Sequence, residues 1–218
     1  MITKTFSASI QGIDAFLVEI EVKSTQSGEN DIVSIVGLPD AAVRESRERV
    51  KSALLSCHYQ HPYGYTVVNL APADVKKEGA MFDLPIAIGM IGAVSDEYEH
   101  SALHKTMIVG ELALDGTVRP GKGTLVVADL AKKQGFNRLL VPMENALEAG
   151  LVTGIDVIGI SSLTDAIDFL SGEKTIAPTR TNPSNLISND DDLLDFTDLK
   201  GQEIVRRGME VAASTSVS

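Results

Sequence analysis

Short apolar segments alternate with helical patterns along residues 1–172, and this alternation constrains the fold more than any other feature of the sequence. The strand-like segments lie at 32–36, 66–70, 107–112, 139–141 and 157–160. The helical patterns lie at about 41–57, 83–93, 124–134, 144–149 and 163–170. Such alternation is typical of a layered α/β protein, so we expect one α/β domain over residues 1–172.

An antiparallel hairpin is predicted ahead of this alternation, over residues 5–23 with its turn near Gly12. Apolar side chains alternate along its second strand, so one face should be buried and the other, with Glu19 and Glu21, should face water. Asp40 is expected to N-cap the first helix. A cluster of charges precedes the apolar second helix, and we expect Asp83 to accept from the first free amides of that helix.

Composition bounds the kind of partner that the chain can have. Nineteen basic and thirty acidic residues in 218 give a formal net charge of −11, so any nucleic-acid site must be local. The single cysteine, Cys57, permits no internal disulfide, and the amino terminus lacks a signal-peptide pattern, which together favour the cytoplasm. No apolar run approaches the ~20 residues of a membrane helix, so no membrane partner is expected.

The character of the sequence changes after Gly172. Residues 173–194 are rich in Thr, Pro, Ser and Asn and include three consecutive aspartates, which predicts a flexible acidic linker. A helical pattern resumes in residues 195–218, which we interpret as a short helix that opens a second domain and is then cut off.

Three basic residues of the first helix form a candidate contact surface. Arg44, Arg47 and Lys51 fall on one side of the helix, beside its apolar stripe, and Lys76 with Lys77 could extend this surface. One interpretation is a solvated helix side balanced by neighbouring glutamates. The other is a contact with a polynucleotide or a neighbouring subunit.

Three longer blocks, residues 36–50, 69–87 and 110–120, resemble the amino-terminal part of the YifB/ComM family of magnesium-chelatase-like AAA+ ATPases. The resemblance covers residues 1–172, and residues 195–203 resemble the start of the family's ATPase module. It implies a Lon-protease-like domain, which is a ribosomal-protein-like α/β sandwich. It also implies that complete members bind ATP and Mg²⁺ in a downstream module, form homo-hexamers, and drive DNA branch migration in recombination and competence for natural transformation.

Lon-type peptidases use a serine nucleophile and a lysine base, and the resemblance puts Met81 and Leu125 at those two positions. We therefore expect no catalytic residues in this chain, although Lys122 and Thr124 lie close enough in sequence for a displaced pair. Residues 116–123 nearly match a phosphate-binding loop but have Gly123 where a hydroxyl residue is needed. Two alternative functions remain open: a Lon-like serine peptidase with a displaced dyad, and a magnesium-chelatase-type subunit.

Histidines near Cys57 and His100 offer spacings that metal sites also use. Such a site needs three or four converging ligands, so we interpret these residues as surface histidines beside turns and one ordinary cysteine. We predict no metal and no cofactor in this chain, with ATP and Mg²⁺ confined to the downstream module. The expected partners are further copies of the chain and DNA.

Overall fold

The computed structural model describes residues 2–25, 31–182 and 207–208. The chain divides into two compact units, residues 1–182 and residues 183–218. In the second unit only residues 207–208 are described, and both are helical. The remaining parts of the expected linker and of the expected terminal helix lie outside the described residues.

The first unit is built from alternating strands and helices, as the sequence predicts. Its strands are β1 (Ile2–Gln11), β2 (Asp14–Ser24), β3 (Ile32–Val36), β4 (Tyr65–Ala71), β5 (Thr106–Ile108), β6 (Glu111–Leu112), β7 (Val118–Arg119), β8 (Arg138–Pro142) and β9 (Asp156–Ile160). Its helices are α1 (Ala41–Ser56), α2 (Asp83–Val94), α3 (Thr124–Lys133), α4 (Ala146–Ala149) and α5 (Leu163–Ser171). None of the helices in the described ranges has the length and apolarity that crossing a membrane requires.

Seven strands form one mixed sheet in the order β3-β4-β2-β1-β5-β8-β9. The hairpin strands β1 and β2 pair antiparallel, as do β2 and β4, whereas the four other neighbouring pairs are parallel. Strands β6 and β7 form a separate two-stranded ribbon. The architecture is therefore the α/β fold that the sequence predicts.

The two faces of the sheet carry different helices and separate apolar cores. One core joins α1, α2 and α5 to the inner side of β2 and β4, where Val18, Ile20 and Val68 are fully buried. The other joins α3 and α4 to β5, β8 and β9, and Leu17 packs against it. The expected polar face of β2 is therefore partly covered. Only its outer part is open, and there Lys4 pairs with Glu19 at 2.6 Å and with Glu21 at 3.0 Å.

Helix α2 packs unusually close to the hairpin because it carries glycine where the helix meets its neighbours. A Cβ atom at Gly89 would lie 2.7 Å from a methyl group of Val22, and one at Gly92 would lie 2.3 Å from the Tyr98 hydroxyl. The Thr5 hydroxyl donates to the Pro85 carbonyl at 3.1 Å. The Thr5 bond attaches the first turn of α2, where Asp83 lies, to β1.

The single strand expected over residues 107–112 is wrong, because the chain leaves the sheet after Ile108. The Gly110 amide donates to the Met81 carbonyl, and the Leu84 amide donates to the Gly110 carbonyl, each at 2.9 Å. These two bonds tie the segment to the chain entering α2, and β6 then begins at Glu111.

The compact unit extends to Asn182, beyond the expected boundary at 172. The Thr179 amide donates to the Val157 carbonyl at 2.8 Å, and the Thr181 amide donates to the Gly150 carbonyl at 3.0 Å. The Thr181 hydroxyl also donates to the Leu147 carbonyl at 2.7 Å. Residues 173–182 therefore pack against β9 and α4 through backbone bonds, which a composition rich in polar residues does not reveal.

Candidate functional site

Two of the three blocks that carry the family resemblance, residues 36–50 and 69–87, meet at the start of α1. The Asp40 amide donates to the Lys77 carbonyl at 3.0 Å, and the Lys77 amide donates to the Leu38 carbonyl at 3.1 Å. The Asp40 carboxylate accepts from the Val43 amide at 2.8 Å, which confirms the predicted N-cap. It also accepts from the Gly79 amide at 3.2 Å, so one side chain caps α1 and holds the neighbouring loop.

Asp83 joins all three blocks from a fully buried position. Its carboxylate accepts from Arg49 Nε at 2.7 Å and Nη2 at 3.0 Å, from the Leu112 amide at 3.2 Å, and from the Ser46 hydroxyl. Burial raises the pKa of Asp83, and these donors oppose that effect. The expectation that Asp83 caps α2 is wrong, because its partners come from α1 and β6 and no side chain caps α2.

The adjacent lysines of the second block have opposite environments. Lys77 is fully buried, and its ammonium donates to the Pro72 carbonyl and, at 2.7 Å, to the Val75 carbonyl. Burial lowers the pKa of Lys77. The expectation that Lys77 belongs to an exposed basic surface is therefore wrong. Lys76 is exposed and pairs with Glu78 at 2.6 Å.

The other predicted basic residues do share one side of α1. Arg44 is exposed, and its guanidinium donates to the Pro39 carbonyl at 3.2 and 3.1 Å. Arg47 is exposed and pairs with Glu48 at 3.1 Å. Lys51 is partly exposed and makes no ion pair among the described residues. We call Arg44, Arg47, Lys51 and Lys76 the basic surface, and its nearby glutamates reduce but do not cancel its cationic groups.

Arg47 and Lys51 line a pocket of about 250 Å³ between α1, the start of β3 and the chain before β4. We call this the α1 pocket; its other lining residues are Asp31, Ile32, Val33, Glu48 and His61. Both ring nitrogens of His61 are buried and lack a well-formed hydrogen bond within the described part of the chain. Burial and the Lys51 charge lower the pKa of His61, and Asp31 and the Pro62 backbone act in the opposite direction.

Sequence reasoning missed the α1 pocket because it treated His61 as a surface residue in a turn. The pocket forms only when the parallel pairing of β3 with β4 brings Ile32 beside Tyr65 and the chain before β4 beside α1. Spacing along the sequence carries no signal for that closure. The sequence shows that His61 lies beside a turn, but it does not show which elements of the fold surround that residue.

The two positions assigned to a Lon-type dyad lie near the start of α3. Met81 occupies the space beside Gly121, where an added Cβ atom would lie 2.1 Å from the Met81 sulfur. Leu125 lies in the first turn of α3 and is 39% exposed. A thioether cannot serve as an acyl-accepting nucleophile, and an alkyl side chain cannot remove a proton, so these two residues cannot perform dyad chemistry.

A carboxylate already satisfies the amino-terminal end of α3. Glu148 accepts from the Thr124 hydroxyl at 2.6 Å, from the Leu125 amide at 3.1 Å and from the Asn145 amide group at 3.3 Å. Asn145 also accepts from the Gly121 amide at 2.8 Å and donates to the Gly121 carbonyl at 2.9 Å. We call these residues the α3 cap cluster. The helix end that would face a phosphate in a phosphate-binding loop thus faces Glu148 instead.

The histidines and the cysteine do not converge. In the described ranges, no group of three or more His, Cys, Asp or Glu side chains is arranged to hold a metal ion. The Cys57 thiol instead donates to the Asp115 carbonyl at 3.6 Å, beside the turn that joins β6 to β7.

The fold defines a Lon-like α/β domain, and the resemblance puts Met81 and Leu125 at its dyad positions. Comparison with known proteins agrees with this class. A profile of the family described as subunit ChlI of Mg-chelatase matches residues 18–145, more than half of the chain. Lon protease 2 of Bacillus subtilis is 24% identical over 174 residues, which cover 70% of this chain and 30% of that protein.

Two further relatives align along almost the whole chain. Competence protein ComM of Haemophilus influenzae is 36% identical over 211 residues, covering 96% of this chain and 41% of ComM. YifB of Escherichia coli, an uncharacterized protein, is 34% identical over 203 residues, covering 93% of this chain and 39% of YifB. The chain belongs to the magnesium-chelatase-like YifB/ComM family, and it spans about two fifths of the length of these two relatives.

Proposed function

We infer that this chain is the amino-terminal interaction domain of a ComM-type AAA+ ATPase. The observation that carries this inference is the alignment of 96% of the chain with the competence protein ComM at 36% identity. The full-length form would be a cytoplasmic homo-hexamer that uses ATP and Mg²⁺, bound in a further module, to move DNA branch points in recombination and natural transformation. The domain itself would hold no cofactor.

The domain would contribute no peptidase chemistry of its own. The resemblance assigns the dyad positions to Met81 and Leu125, and the hydroxyl of Thr124 in α3 donates to the Glu148 carboxylate rather than to a lysine. A serine-reactive fluorophosphonate probe tests the peptidase alternative, and we expect no labelling of the chain. Labelling that disappears in Thr124→Ala, or in any other single Ser or Thr variant, would establish a displaced dyad and overturn this part of the proposal.

The domain would contact DNA through the basic surface. Arg44 and Lys76 flank the start of α1, where the backbone of Pro39 pairs with that of Lys77. Cations grouped in this way attract phosphates, and each phosphate that they neutralise releases counterions, so binding should weaken as salt rises. Glu45, with 74% of its side chain exposed, and Glu48 and Glu78, with 71% and 59%, keep the surface only moderately cationic.

Charge reversal tests this contact in the full chain. We expect Arg44→Glu combined with Lys76→Glu to abolish binding of a fluorescently labelled oligonucleotide at low salt, measured by anisotropy, without changing the thermal unfolding midpoint. Lys105→Glu combined with Lys132→Glu is the matched control, because both lysines are exposed and lie at β5 and on α3. Equal losses in the two variants, or full binding by the first, would contradict the proposed DNA contact.

The alternative is that the basic surface contacts a neighbouring subunit. Sedimentation of the same variants distinguishes subunit contact from DNA contact. Loss of self-association in Arg44→Glu with Lys76→Glu, with no DNA binding by the unaltered chain, would assign the surface to a neighbouring copy. A magnesium-chelatase-type role rests on the family description alone, and no residue arrangement in the described ranges favours it.

A further inference from the structure

The two outer strands of the seven-stranded sheet have different surroundings. Residues 173–182 pass along the outer side of β9, where the Thr179 amide donates to the Val157 carbonyl at 2.8 Å. Strand β3, at the opposite edge, has β4 as its single neighbouring strand within the described ranges. An edge without a neighbour is a template for a further strand, so the β3 edge is a candidate interaction surface.

The backbone of β3 offers two residues to such a strand. The Ile32 amide donates to the backbone just before β4 at 2.9 Å. In a parallel pair, alternate residues of a strand bond to the same neighbour, so Ile32, Ser34 and Val36 bond to β4. The N–H and C=O groups of Val33 and Ile35 therefore point to the open edge, where no described strand pairs with them.

Strand β3 lacks the features that usually protect an edge. Its sequence is Ile-Val-Ser-Ile-Val, with no charged residue, proline or glycine. Four of these five residues are β-branched and apolar, which favours strand pairing. Ile32 and Val36, whose side chains lie on the face of the sheet away from α1, are 51% and 42% exposed. An added strand would bury both the polar backbone groups and these apolar side chains.

Helix α1 places cations beside this edge. Arg49 points to Asp83 of α2, and α2 packs on the hairpin strands β1 and β2, towards the middle of the sheet. Arg47 and Lys51 each lie two residues from Arg49, which is about 200° around the helix, so both point away from α2 and towards the β3 edge. Both line the α1 pocket together with the first two residues of β3.

The charge beside the edge favours an acidic guest. Arg44 shares the same side of α1 as Arg47 and Lys51, and two carboxylates oppose these three cations. Asp31 accepts from the Gly64 amide at 3.3 Å, and Glu48 is bonded to Arg47 with 71% of its side chain exposed. Side chains alternate between the two faces of a strand, so every second residue of a guest strand would face α1. Carboxylates at those positions complement the excess of cations.

We propose that the β3 edge binds an extended acidic segment of a partner protein. The segment adds a strand to the sheet through the backbone of Val33 and Ile35, and its carboxylates lie beside Arg47 and Lys51. Strand addition to an open edge is a common mode of peptide recognition. A nucleic-acid backbone has no alternating N–H and C=O groups to match this edge, so the surface is distinct in kind from the proposed DNA contact and goes beyond it.

A synthetic peptide that alternates valine and glutamate over about eight residues tests the proposal. When it is added to the full chain, we expect hydrogen exchange of the Val33 and Ile35 amides, followed by NMR, to slow about tenfold. The amides of Ser34 and Val36 already bond to β4 and should change little. A peptide that alternates valine and lysine is the matched control and should give no protection. Unchanged exchange at Val33 and Ile35 with the acidic peptide would refute strand addition.

Methylation of the peptide backbone tests the hydrogen bonds without altering the protein. Alternate residues of a strand direct their N–H groups to opposite sides, so either the glutamate amides or the valine amides face β3. We expect N-methylation of one set to abolish binding and N-methylation of the other to leave most of it. Equal binding by both methylated peptides would show that the backbone of β3 is not used.

Charge reversal tests the role of α1. We expect Arg47→Glu combined with Lys51→Glu to weaken binding of the acidic peptide about tenfold and to make the valine–lysine peptide the better ligand. Because both side chains are solvated, thermal unfolding should be unchanged. An unaltered preference for the acidic peptide would refute the assigned carboxylate contacts.

The remaining outcomes identify other occupants of the edge. Protection of Val33 and Ile35 that grows with protein concentration, in the absence of any peptide, would assign the edge to a second copy of the chain and overturn the acidic partner. The peptide experiments contain no DNA. Their result therefore stands whether or not Arg44→Glu with Lys76→Glu abolishes oligonucleotide binding, so failure of the two proposals is distinguishable.

Discussion

Arg47 and Arg49 lie two residues apart on α1 and have opposite environments. Arg49 bonds to the fully buried Asp83 carboxylate through two nitrogens, at 2.7 and 3.0 Å, and only 20% of its side chain is exposed. Arg47 is 56% exposed, pairs with the solvated Glu48 and lines the α1 pocket. The first arginine closes the fold, and the second remains available to an external anion.

The largest expected effect comes from replacing Arg49, the more buried of these two arginines. Arg49→Met leaves Asp83 buried without its cation, so we expect the free energy of unfolding in urea to fall by about 3–5 kcal/mol. Arg47→Met, the matched control, should stay within about 0.5 kcal/mol because its side chain is solvated. Arg49→Met combined with Asp83→Leu should recover part of the loss. Equal destabilisation by the two single variants would contradict the contrast.

The adjacent lysines sharpen the same contrast. Lys77→Met removes the buried ammonium that donates to the Pro72 and Val75 carbonyls, so we expect a loss of about 1–3 kcal/mol in the free energy of unfolding. Lys76→Met should leave stability within about 0.5 kcal/mol and weaken DNA binding. Guanidinium denaturation and oligonucleotide titration measure the two properties. The reverse order of stabilities would show that Lys77 is not anchored as described.

The sequence predicts the architecture. It does not predict which of these charged side chains are buried and which are exposed. Alternating apolar segments located the helices and most strands, because periodicity reports which face of an element is buried. The break at Gly110 and the packing of residues 173–182 depend on backbone hydrogen bonds to distant segments, which periodicity does not carry. The two lysines look identical in sequence, and only the loop that closes around Lys77 distinguishes them.

The candidate site shows the same limit. The helical spacing correctly placed Arg44, Arg47 and Lys51 on one side of α1. Helical spacing could not pair Asp83 with Arg49, because these residues lie on different helices and are 34 positions apart in the chain. It also could not bring His61 to the pocket, since the position of that residue depends on how β3 pairs with β4.

The α3 cap cluster extends the comparison to a second set of internally satisfied charges. Glu148→Ala removes the acceptor for Thr124 and Leu125, and we expect the free energy of unfolding to fall by about 1–2 kcal/mol. Glu144→Ala, an exposed carboxylate nearby in sequence, should change it by less than about 0.5 kcal/mol. Stability unaffected by Glu148→Ala would mean that the cluster is not a structural cap.

The smallest expected effect is the pH response of the α1 pocket. Because the folded protein lowers the pKa of His61 below about 6.5, the unfolded chain binds the proton more readily in the window beneath that value. Stability should therefore decrease as pH falls through this window, and His61→Gln should remove that part of the decrease. Lys51, Arg47, Asp31 and Glu48 line the same pocket.

The most direct test of the account is a residue-resolved NMR map of the chain titrated with a single-stranded oligonucleotide. The account predicts shifts at the basic surface, at Arg44, Arg47, Lys51 and Lys76, with Thr124, Asn145 and Glu148 unchanged. Shifts confined to the α3 cap cluster would instead place the oligonucleotide at the Lon-type dyad positions and contradict the assignment of DNA contact to the basic surface.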